Sequence, residues 1–256
     1  MKSGDNEIPC DDSTKQNIHM KAMILAAGLG TRLKPWTDKH PKALAIVNGK
    51  PLLQRTIEYL QTFGIKEVIV NVHHFADQVI TAIDQNEGWG SAISISDETD
   101  AVLETGGGLL HAKWFFDSAD FVLMNVDILT DLDILSMHDY HQRHQPLATL
   151  AVTNRESSRY FLFDEKNNLC GWRNVKTGEE KRSNDNPVFT QKAFSGIHII
   201  NPVLFDHIQQ QGKFSMVDVY LDLAKQHSIK SYDHSQGTFI DVGKPEAVAA
   251  AEKLFV

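Results

Sequence analysis

The fold is decided by residues 22–44, which read AMILAAGLGTRLKPWTDKHPKAL. Residues 22–27 form a short apolar run that ends at Gly28, a pattern typical of a buried β-strand. Gly28 and Gly30 let the backbone approach a phosphate and aim N–H groups at it. Leu33 stands where a dinucleotide-binding loop has its third glycine, so the Rossmann fingerprint is absent. The stretch predicts a strand followed by a phosphate-binding turn of another kind, although a plain tight turn would also use two glycines.

Basic and rigid residues follow these glycines in a definite order. Arg32 offers a planar fork for phosphate oxygens, and Lys42 adds a point charge. Pro35 and Pro41 stiffen the loop that carries both cations. A solvated basic loop is the simpler alternative, but it does not explain this order of residues after a buried strand. We therefore expect Arg32 and Lys42 to lie over a triphosphate.

Beyond this stretch, apolar runs with helical and strand periodicity alternate along the chain. The helical runs are residues 51–63, 75–83, 107–116 and 132–144, and the strand runs are residues 68–72, 92–96, 121–125 and 148–152. This alternation predicts an α/β protein with an open, mixed, mostly parallel sheet and helices on both faces. Ligands bind at the carboxyl ends of the strands in such folds, so the loops after the first strands are expected at one edge.

The second half of the chain changes character and predicts a small β-rich subregion. Its expected elements are a hairpin at residues 160–163 and 169–172, a polar loop at 174–191, strands at 193–200 and 239–243, and helices at 202–210, 216–226 and 245–254. The chain therefore divides, on its sequence, into a first half of alternating elements and a second half richer in strands.

The composition excludes several classes of function. The 256 residues include 33 acidic and 25 basic side chains, which gives a formal charge of −8. An acidic chain is a poor binder of nucleic acid or anionic membranes, whereas a few local cations or a bound metal can still hold a phosphorylated substrate. Two cysteines, Cys10 and Cys170, are too few for a disulfide framework, and no apolar run reaches the roughly 20 residues that span a bilayer. We expect a cytoplasmic protein with neither nucleic acid nor membrane as a partner.

The N-terminal residues 1–19 are polar and lack the apolar core of a secretory signal. We expect a disordered leader there. Residues 20–256 are interpreted as a single domain, divided into halves at residues 20–150 and 151–256.

Five sequence blocks resemble the sugar-1-phosphate nucleotidyltransferase, or nucleotide-sugar pyrophosphorylase, family. The family signature GxGxRLxPxTxxxPKxL is matched by residues 28–44, with Ala43 where a second proline is common. The other blocks follow in the family's order and are LETGGG at 103–108, NVD at 125–127, FSGI at 194–197 and DVGKPE at 241–246. The blocks ETGGG at 104–108 and NVHHFAD at 71–77 look most like the N-acetylmuramate-1-phosphate uridylyltransferase branch. Val126 departs from the family, which usually has glycine there.

The resemblance implies a fold and a reaction. The fold would be the Rossmann-like nucleotide-diphospho-sugar transferase fold, whose second half, 151–256, holds the sugar, without the C-terminal β-helix or acetyltransferase domain of larger relatives. The reaction would be Mg²⁺-dependent nucleotidyl transfer from an NTP, expected to be UTP, to a sugar 1-phosphate, giving an NDP-sugar and pyrophosphate for cell-wall or surface polysaccharide. Guanylyl or thymidylyl transfer, cytidylyl transfer to phosphocholine, and a non-catalytic nucleotide-sugar sensor remain alternatives. The protein would be a monomer or a small homo-oligomer.

The resemblance also assigns roles to residues. Asp127 and Asp241 would bind Mg²⁺, and Arg32 and Lys42 would stabilise the triphosphate. The nucleotide would be held by Leu25, Ala26, Ala27, Gly28, Gly30, Thr31, Thr105 and Gly106. The sugar phosphate would lie against Ser195 and Gly196, with its cation drawn from Arg159, Lys181 or Lys192.

Histidines and tryptophans outside these blocks receive simpler interpretations. His138, His141 and His144 recur every third residue on a predicted helix, which favours a solvated face over a metal site. Trp36, Trp114 and Trp172 are interpreted as packing residues.

Overall fold

The computed structural model describes residues 20–185 and 187–255, and the leader predicted for residues 1–19 lies outside them. The first part contains β1 Ala22–Leu25, β2 Ile46–Val47, β3 Lys50–Pro51, α1 Leu52–Thr62, β4 Glu67–Val72, α2 Ala76–Gln85, β5 Ala92–Asp97, α3 Glu104–His111, β6 Phe121–Asn125, β7 Ile128–Thr130, α4 Ile134–His144 and β8 Ala148–Thr153. The second part contains β9 Arg159–Phe163, β10 Leu169–Asn174, β11 Glu180–Arg182, β12 Thr190–Ile200, α5 Leu204–His207, α6 Met216–Leu223, β13 Ile229–Asp233, β14 Phe239–Asp241 and α7 Pro245–Leu254.

A central layer of strands has the order β13-β8-β12-β6-β1-β4-β5. β1 pairs in parallel with β4 and β6, and β4 pairs in parallel with β5. β12 runs antiparallel to β6 and β8, while β13 is parallel to β8. β8 and β13 consequently point the same way as β6, so β12 alone in this layer of the described chain opposes the rest. The predicted mixed, mostly parallel sheet is confirmed.

Helices cover both faces of this sheet because neighbouring strand residues point to opposite sides. Ile24 packs in one apolar cluster with Ile57 of α1, whereas Met23 packs in a second cluster with Leu109 of α3 and Tyr220 of α6. The predicted two-sided packing is therefore confirmed. Within the described ranges, none of the helices is long and apolar enough to cross a membrane.

An antiparallel extension forms the β-rich subregion. β9, β10 and β11 pair in sequence, and the first residues of β12 pair with β9. The interpretation of residues 174–191 as a loop is wrong for β11 and for the start of β12 at Thr190. The predicted helix over residues 202–210 is reduced to α5. β11 lies at the sheet's edge, where polar side chains stay in solvent and leave no apolar alternation to recognise.

Strand register places the ends of three strands at one level. Leu25 at the end of β1 lies opposite both Asn71 of β4 and Asn125 of β6. A second pairing, β7 with β14, sets Asp241 opposite Ile128, and the N–H of Val242 donates to the carbonyl of Asp127 at 2.8 Å. Residues far apart in the sequence are thereby gathered at one edge of the sheet.

Candidate active site

A cavity of about 280 Å³ opens at the carboxyl ends of β1, β4 and β6. The residues that line it are Leu25, Ala26, Ala27, Gly28, Lys42, Asn71, Glu98, Val102, Glu104, Thr105, Asn125, Val126 and Asp127. Its position at the strand ends is the one that the sheet topology predicted. Seven of the site residues expected from the sequence line it, namely Leu25, Ala26, Ala27, Gly28, Lys42, Thr105 and Asp127.

One side of this cavity, called here the first wall, consists of Ala26, Ala27, Asn71, Glu98 and Thr105. The buried Oδ1 of Asn71 accepts hydrogen bonds from the N–H groups of Ala26 at 2.7 Å and Ala27 at 3.3 Å. Its Nδ2 donates to Oε1 of Glu98 at 2.8 Å. The N–H groups of Ala26 and Ala27, expected to face a nucleotide, are therefore bound within the protein. The sequence missed Asn71 and Glu98 as site residues, although a polar side chain ending an apolar strand is a usable signal.

Glu98 is a buried carboxyl group at the floor of the cavity. Its Oε2 accepts a long hydrogen bond of 3.4 Å from the N–H of Leu103. Burial raises the pKa of the Glu98 carboxyl, and the hydrogen bonds from Asn71 and Leu103 oppose that rise. The first wall thus carries a carboxyl group whose charged form is disfavoured.

The second glycine-rich block forms the first turns of α3, and its glycines serve packing. The N–H groups of Gly106 and Gly107 both donate to the carbonyl of Phe214. A Cβ on Gly107 would lie 2.2 Å from the carbonyl oxygen of Gly212. Thr105 lines the cavity, but Gly106 does not, because its N–H and its open side face residue 214. The expectation that Gly106 contacts the nucleotide is not supported by this placement.

The loop after β1 folds back on itself to bring Lys42 to the cavity. Gly30 has a φ of +60°, and a Cβ there would meet Thr37 at 2.9 Å and Lys42 at 3.0 Å. The hydroxyl of Thr37 donates to the carbonyl of Gly30 at 3.0 Å. Lys42 forms an ion pair with Asp127, and the two side chains are only 12% and 13% exposed. Gly30 therefore acts in the fold by permitting the loop to close, whereas Gly28 is exposed with open space beside it.

Arg32 lies at the outer rim of the site. Its Nη2 is 3.9 Å from Oδ2 of Asp241, and its side chain is 57% exposed. Thr31 precedes it in the same short 3-10 turn and is exposed. The structure thus places one cation inside the cavity and one at its mouth, each facing a different carboxylate.

Asp127 and Asp241 are brought together by the β7–β14 pairing. Burial raises the pKa of the Asp241 carboxyl, and the nearby charge of Asp127 raises it further, while Lys42 and Arg32 oppose the rise. The Oδ1 atom of Asp241 is buried without a hydrogen-bond partner among the described residues. Two adjacent carboxylates with an unfilled oxygen suit Mg²⁺, which takes one or two carboxylates and completes its shell with phosphates and water. In the described part of the chain, no group of three or more His, Cys, Asp or Glu side chains is arranged to hold a metal ion. Phosphate or water would therefore have to complete the ligands of a metal at Asp127 and Asp241.

A second cluster, called here the second wall, consists of Thr153, Arg155, His234, Phe239 and Asp241. These residues do not line the cavity itself, and the cluster adjoins it through Asp241, which lies beside the lining residue Asp127. The guanidinium of Arg155 lies over the ring of Phe239, 4.8 Å from its centroid. Nη2 of Arg155 donates to the carbonyl of residue 194 in β12 at 2.6 Å. Sequence reasoning missed Arg155, whose polar neighbours in the chain give it the pattern of a surface loop.

The two residues expected at the sugar differ in their placement. Ser195 is fully buried, and its hydroxyl shares a 2.8 Å hydrogen bond with Nε2 of His234. Gly196 has a φ of +73°, and a Cβ there would lie 2.7 Å from Nδ2 of the cavity-lining Asn125. Gly196 therefore borders the site, whereas the Ser195 side chain is turned into the protein and does not face a ligand.

The three cations expected for the sugar phosphate lie away from the cavity lining. Lys181 is half-exposed and pairs with Asp218 at 2.9 Å. Lys192 contacts Asp233 at 2.6 Å, and Arg159 is exposed at the start of β9. Both lysines already have carboxylate partners at the surface.

The histidines of α4 contradict the solvated-face prediction. His138 and His141 are buried, and Nε2 of His138 lies 3.2 Å from Oδ2 of Asp120. His144 is exposed, as expected. The packing interpretation is wrong for Trp114, which is 65% exposed.

Comparison with known proteins identifies the family. Residues 21–255 match the family described as Nucleotidyl transferase. The N-acetylmuramate alpha-1-phosphate uridylyltransferase of Caulobacter vibrioides is 30% identical over 239 residues, which cover 90% of this chain and 95% of that protein. The mannose-1-phosphate guanyltransferase of Yarrowia lipolytica is 28% identical over 243 residues, 93% of this chain. The chain spans only 64% of that guanyltransferase's length.

Solved structures establish the same fold. HddC from Yersinia pseudotuberculosis, complexed with GMP-PN, has a TM-score of 0.74 at 24% identity and covers 93% of this chain and 100% of its own. UDP-glucose pyrophosphorylase from Acinetobacter baumanii has a TM-score of 0.74 at 16% identity, with 93% of each chain covered. The predicted nucleotide-diphospho-sugar transferase fold is confirmed. The chain belongs to the nucleotidyl transferase family, and its named relatives are sugar-1-phosphate nucleotidyltransferases.

Proposed function

We propose that this protein transfers the uridylyl group of UTP to a sugar 1-phosphate and releases pyrophosphate. The observation that carries the proposal is the meeting of two carboxylates, Asp127 and Asp241, with two cations, Lys42 and Arg32, at one cavity. This set matches the demand of a reaction between two anions, whose charges must be neutralised and whose geometry must be fixed.

The reaction is a direct displacement at phosphorus. An oxygen of the sugar phosphate attacks the α-phosphorus of the nucleoside triphosphate in line, the bond from that phosphorus to the bridging oxygen of the β-phosphate breaks, and pyrophosphate leaves. No side chain has to become a covalent intermediate. The protein's contribution is positioning and electrostatic stabilisation, which suits a site made of cations, carboxylates and backbone.

The nucleotide is proposed to occupy the cavity of residues 20–150. Its base and ribose lie against the first wall, and its triphosphate extends past Gly28 toward Lys42 and Arg32. Lys42 holds the inner phosphates because it is nearly enclosed, whereas the more exposed Arg32 follows the charge that develops on the leaving pyrophosphate. The sugar phosphate approaches from the second wall, in residues 151–256.

Asp127 and Asp241 would bind Mg²⁺. When bound, the metal neutralises phosphate charge and fixes the reacting oxygens. The unpartnered Oδ1 of Asp241 supports this assignment, as does the raised pKa of that carboxyl beside a second one. Lys42 pairs with Asp127 in the present arrangement, and we propose that it turns to a phosphate when the nucleotide binds.

The uridylyl assignment is supported by similarity over the whole length of a relative. The uridylyltransferase match covers 95% of that protein, whereas the guanyltransferase match covers 64%. A second uridylyltransferase, from Neisseria meningitidis, is 29% identical over 93% of its length.

Guanylyl transfer is the second candidate, and Glu98 is the observation that favours it. A carboxylate accepts two parallel hydrogen bonds, and the edge of guanine offers two adjacent N–H donors. Uracil offers one N–H between two carbonyl oxygens, which an ionised carboxylate repels. The raised pKa of the Glu98 carboxyl weakens this preference, because a protonated carboxyl can donate to a uracil carbonyl.

Substitution of Glu98 separates the two bases. In Glu98→Gln, GTP-dependent turnover should fall by ~10- to 100-fold if Glu98 reads guanine, since one of two paired hydrogen bonds becomes a mismatch. Under the uridylyl proposal, UTP-dependent turnover changes by less than about threefold. Glu104→Gln, at another carboxyl of the cavity edge, is the matched control.

The proposal is tested by a pyrophosphate-release screen that crosses four NTPs with a panel of sugar 1-phosphates and phosphocholine, with and without Mg²⁺. We expect release with UTP and a sugar 1-phosphate, dependent on Mg²⁺. Release with phosphocholine and CTP alone would reassign the acceptor. A purified, folded protein that releases nothing with any pair would contradict the enzymatic proposal and support a nucleotide-sugar sensor.

A further inference from the structure

Four buried polar atoms of the second wall have no hydrogen-bond partner. They are Oγ1 of Thr153, Nε of Arg155, Nδ1 of His234 and Oδ1 of Asp241. The remaining such atoms among the described residues belong to His138 and His141, which lie in a different cluster beside Asp120. Buried polar groups are nearly always paired in folded proteins, so four at one place indicate partners supplied from outside the chain.

These four residues form one cluster around Phe239. The N–H of His234 donates to the carbonyl of residue 152, next to Thr153, at 3.0 Å. The ring of His234 lies 6.0 Å from that of Phe239, and the guanidinium of Arg155 covers the same ring. Asp241 follows Phe239 by two residues in β14, and its charge acts on Arg155. The cluster therefore adjoins the proposed metal carboxylates.

Arg155 is held in place but sparsely bonded. Among the described residues, its one hydrogen bond runs from Nη2 to the carbonyl of Phe194. A guanidinium carries five N–H donors, and a half-buried one is costly unless they are used. Stacking on Phe239 and the charge of Asp241 fix its orientation and leave the other donors available. A fork of this kind binds phosphate through two parallel hydrogen bonds.

The chain path explains why Arg155 reaches the site. It lies two residues beyond the end of β8, just as Asp127 lies two residues beyond the end of β6. The two strands run in the same direction, since each is antiparallel to β12 between them. Both residues consequently emerge at the same edge of the sheet, one on either side of β12.

We propose that Arg155 binds the phosphate of the sugar 1-phosphate, in the role that the sequence suggested for Arg159, Lys181 or Lys192, and that Thr153 and His234 complete this anion site. The inference rests on the proposed function for the identity of the ligand. It fits the charge of the neighbourhood, because a phosphate between Arg155 and a cation at Asp241 would be neutralised from both sides. Lys181 and Lys192 are instead committed to carboxylates at the surface.

The test compares Arg155→Met and Arg155→Lys with the matched controls Arg159→Met and Lys181→Met. We expect Arg155→Met to raise KM for the sugar 1-phosphate by ~10- to 100-fold, the range for losing hydrogen bonds to a charged group, while KM for UTP stays within about threefold. Arg155→Lys keeps the charge without the fork and should recover part of the loss. The controls should leave both constants unchanged.

A binding measurement makes the test independent of turnover. Calorimetric titration of wild type and variants with the same sugar 1-phosphates should show weaker binding in Arg155→Met than in wild type and in both controls. Sugar phosphate binding that depends on Arg155 in a protein without turnover would uphold the anion site and refute the proposed function. Equal affinity in Arg155→Met and wild type, equal losses for UTP and sugar phosphate, or no binding of any sugar 1-phosphate to wild type would overturn the inference. Thermal unfolding checks that each variant folds. If Arg155→Met does not fold, the binding of sugar 1-phosphate to Arg155→Lys decides the question.

Discussion

The two walls of the cleft satisfy their polar groups in opposite ways. In the first wall, Asn71 uses its carbonyl oxygen on Ala26 and Ala27 and its amide nitrogen on Glu98, so each group has a partner within the chain. In the second wall, Nε of Arg155 and Oδ1 of Asp241 are buried and have no hydrogen-bond partner among the described residues. The difference indicates that folding alone supplies the hydrogen-bond partners of the first wall, whereas bound ligands supply the missing partners of the second wall.

Because of this difference, substitutions in the two walls should affect different properties of the protein. A substitution in the first wall removes a hydrogen bond of the folded protein and should be measured as lost stability. A substitution in the second wall removes a group that folding leaves unused and should be measured as lost binding or turnover.

The largest effect is expected at the two proposed metal carboxylates, Asp127 and Asp241. Asp127→Asn and Asp241→Asn should each lower Mg²⁺-dependent turnover by at least ~1,000-fold, because an amide neither attracts the metal nor balances the cations. Pyrophosphate release measures turnover, circular dichroism checks the fold, and Asp139→Asn, on the exposed side of α4, is the control. Full activity in either variant would remove that residue from the metal site.

Arg32→Ala should lower turnover by ~100-fold if the guanidinium stabilises transition-state charge. Its exposure means that stability should hardly change, since exposed ion pairs contribute little. The measurement is kcat by pyrophosphate release, with Lys39→Ala in the same loop as the control. A loss below about threefold would reduce Arg32 to an ordinary surface residue of the loop.

Asn71→Ala tests the first wall directly. It should lower the free energy of unfolding by about 1–3 kcal/mol, because the N–H groups of Ala26 and Ala27 and the carboxyl of Glu98 lose their partner while buried. Denaturant unfolding gives the value. Unchanged stability would show that the hydrogen bonds of Asn71 do not stabilise the folded protein and would contradict the contrast between the two walls.

Glu98 gives a pH dependence with a definite sign. Its pKa is raised in the folded protein, so over pH values from its ordinary pKa to the raised one the folded state holds more protons than the unfolded state. Stability from this group therefore falls as pH rises through that window. Glu98→Gln should lack this fall, and denaturant unfolding at several pH values measures it. A wild type and variant with parallel pH profiles would contradict the raised pKa.

The smallest effect is expected for Thr153→Val in the second wall. The buried hydroxyl has no partner, so its replacement by a methyl group should change the free energy of unfolding by less than about 0.5 kcal/mol. Denaturant unfolding beside Asn71→Ala makes the comparison. A destabilisation equal to that of Asn71→Ala would show that the hydroxyl is bonded in the folded protein and would erase the contrast between the walls.

The parts of the site that the sequence predicted depend on local chemistry. Gly30, Pro41 and Lys42 could be predicted as one site because they lie in one loop, and the strand before them predicted the edge of the sheet at which they lie. The second wall could not be predicted from residues that are close in the sequence. Arg155 stands in a polar stretch, and its burial arises from Phe194 and Phe239, which β12 and β14 bring from elsewhere in the chain.

The errors have similar physical origins. His138 and His141 share the helix face of the buried Ile134 and Met137, but three recurring polar residues concealed that they point inward to Asp120. The glycines at 106–108 have the pattern of a ligand loop, yet each is required because another part of the chain packs against it. Tertiary neighbours decide such cases, and a single sequence does not display them.

Uridylyl transfer in this cavity requires that the bond between the α- and β-phosphates of the nucleotide breaks. The most direct measurement supplies UTP labelled with radioactive phosphorus at either the α or the γ position, together with the sugar 1-phosphate selected by the screen. We expect the α label to enter a phosphatase-resistant NDP-sugar, the γ label to appear in pyrophosphate, and both labelled products to vanish in Asp241→Asn. Release of γ label as inorganic phosphate, or transfer of γ label to the sugar, would contradict it.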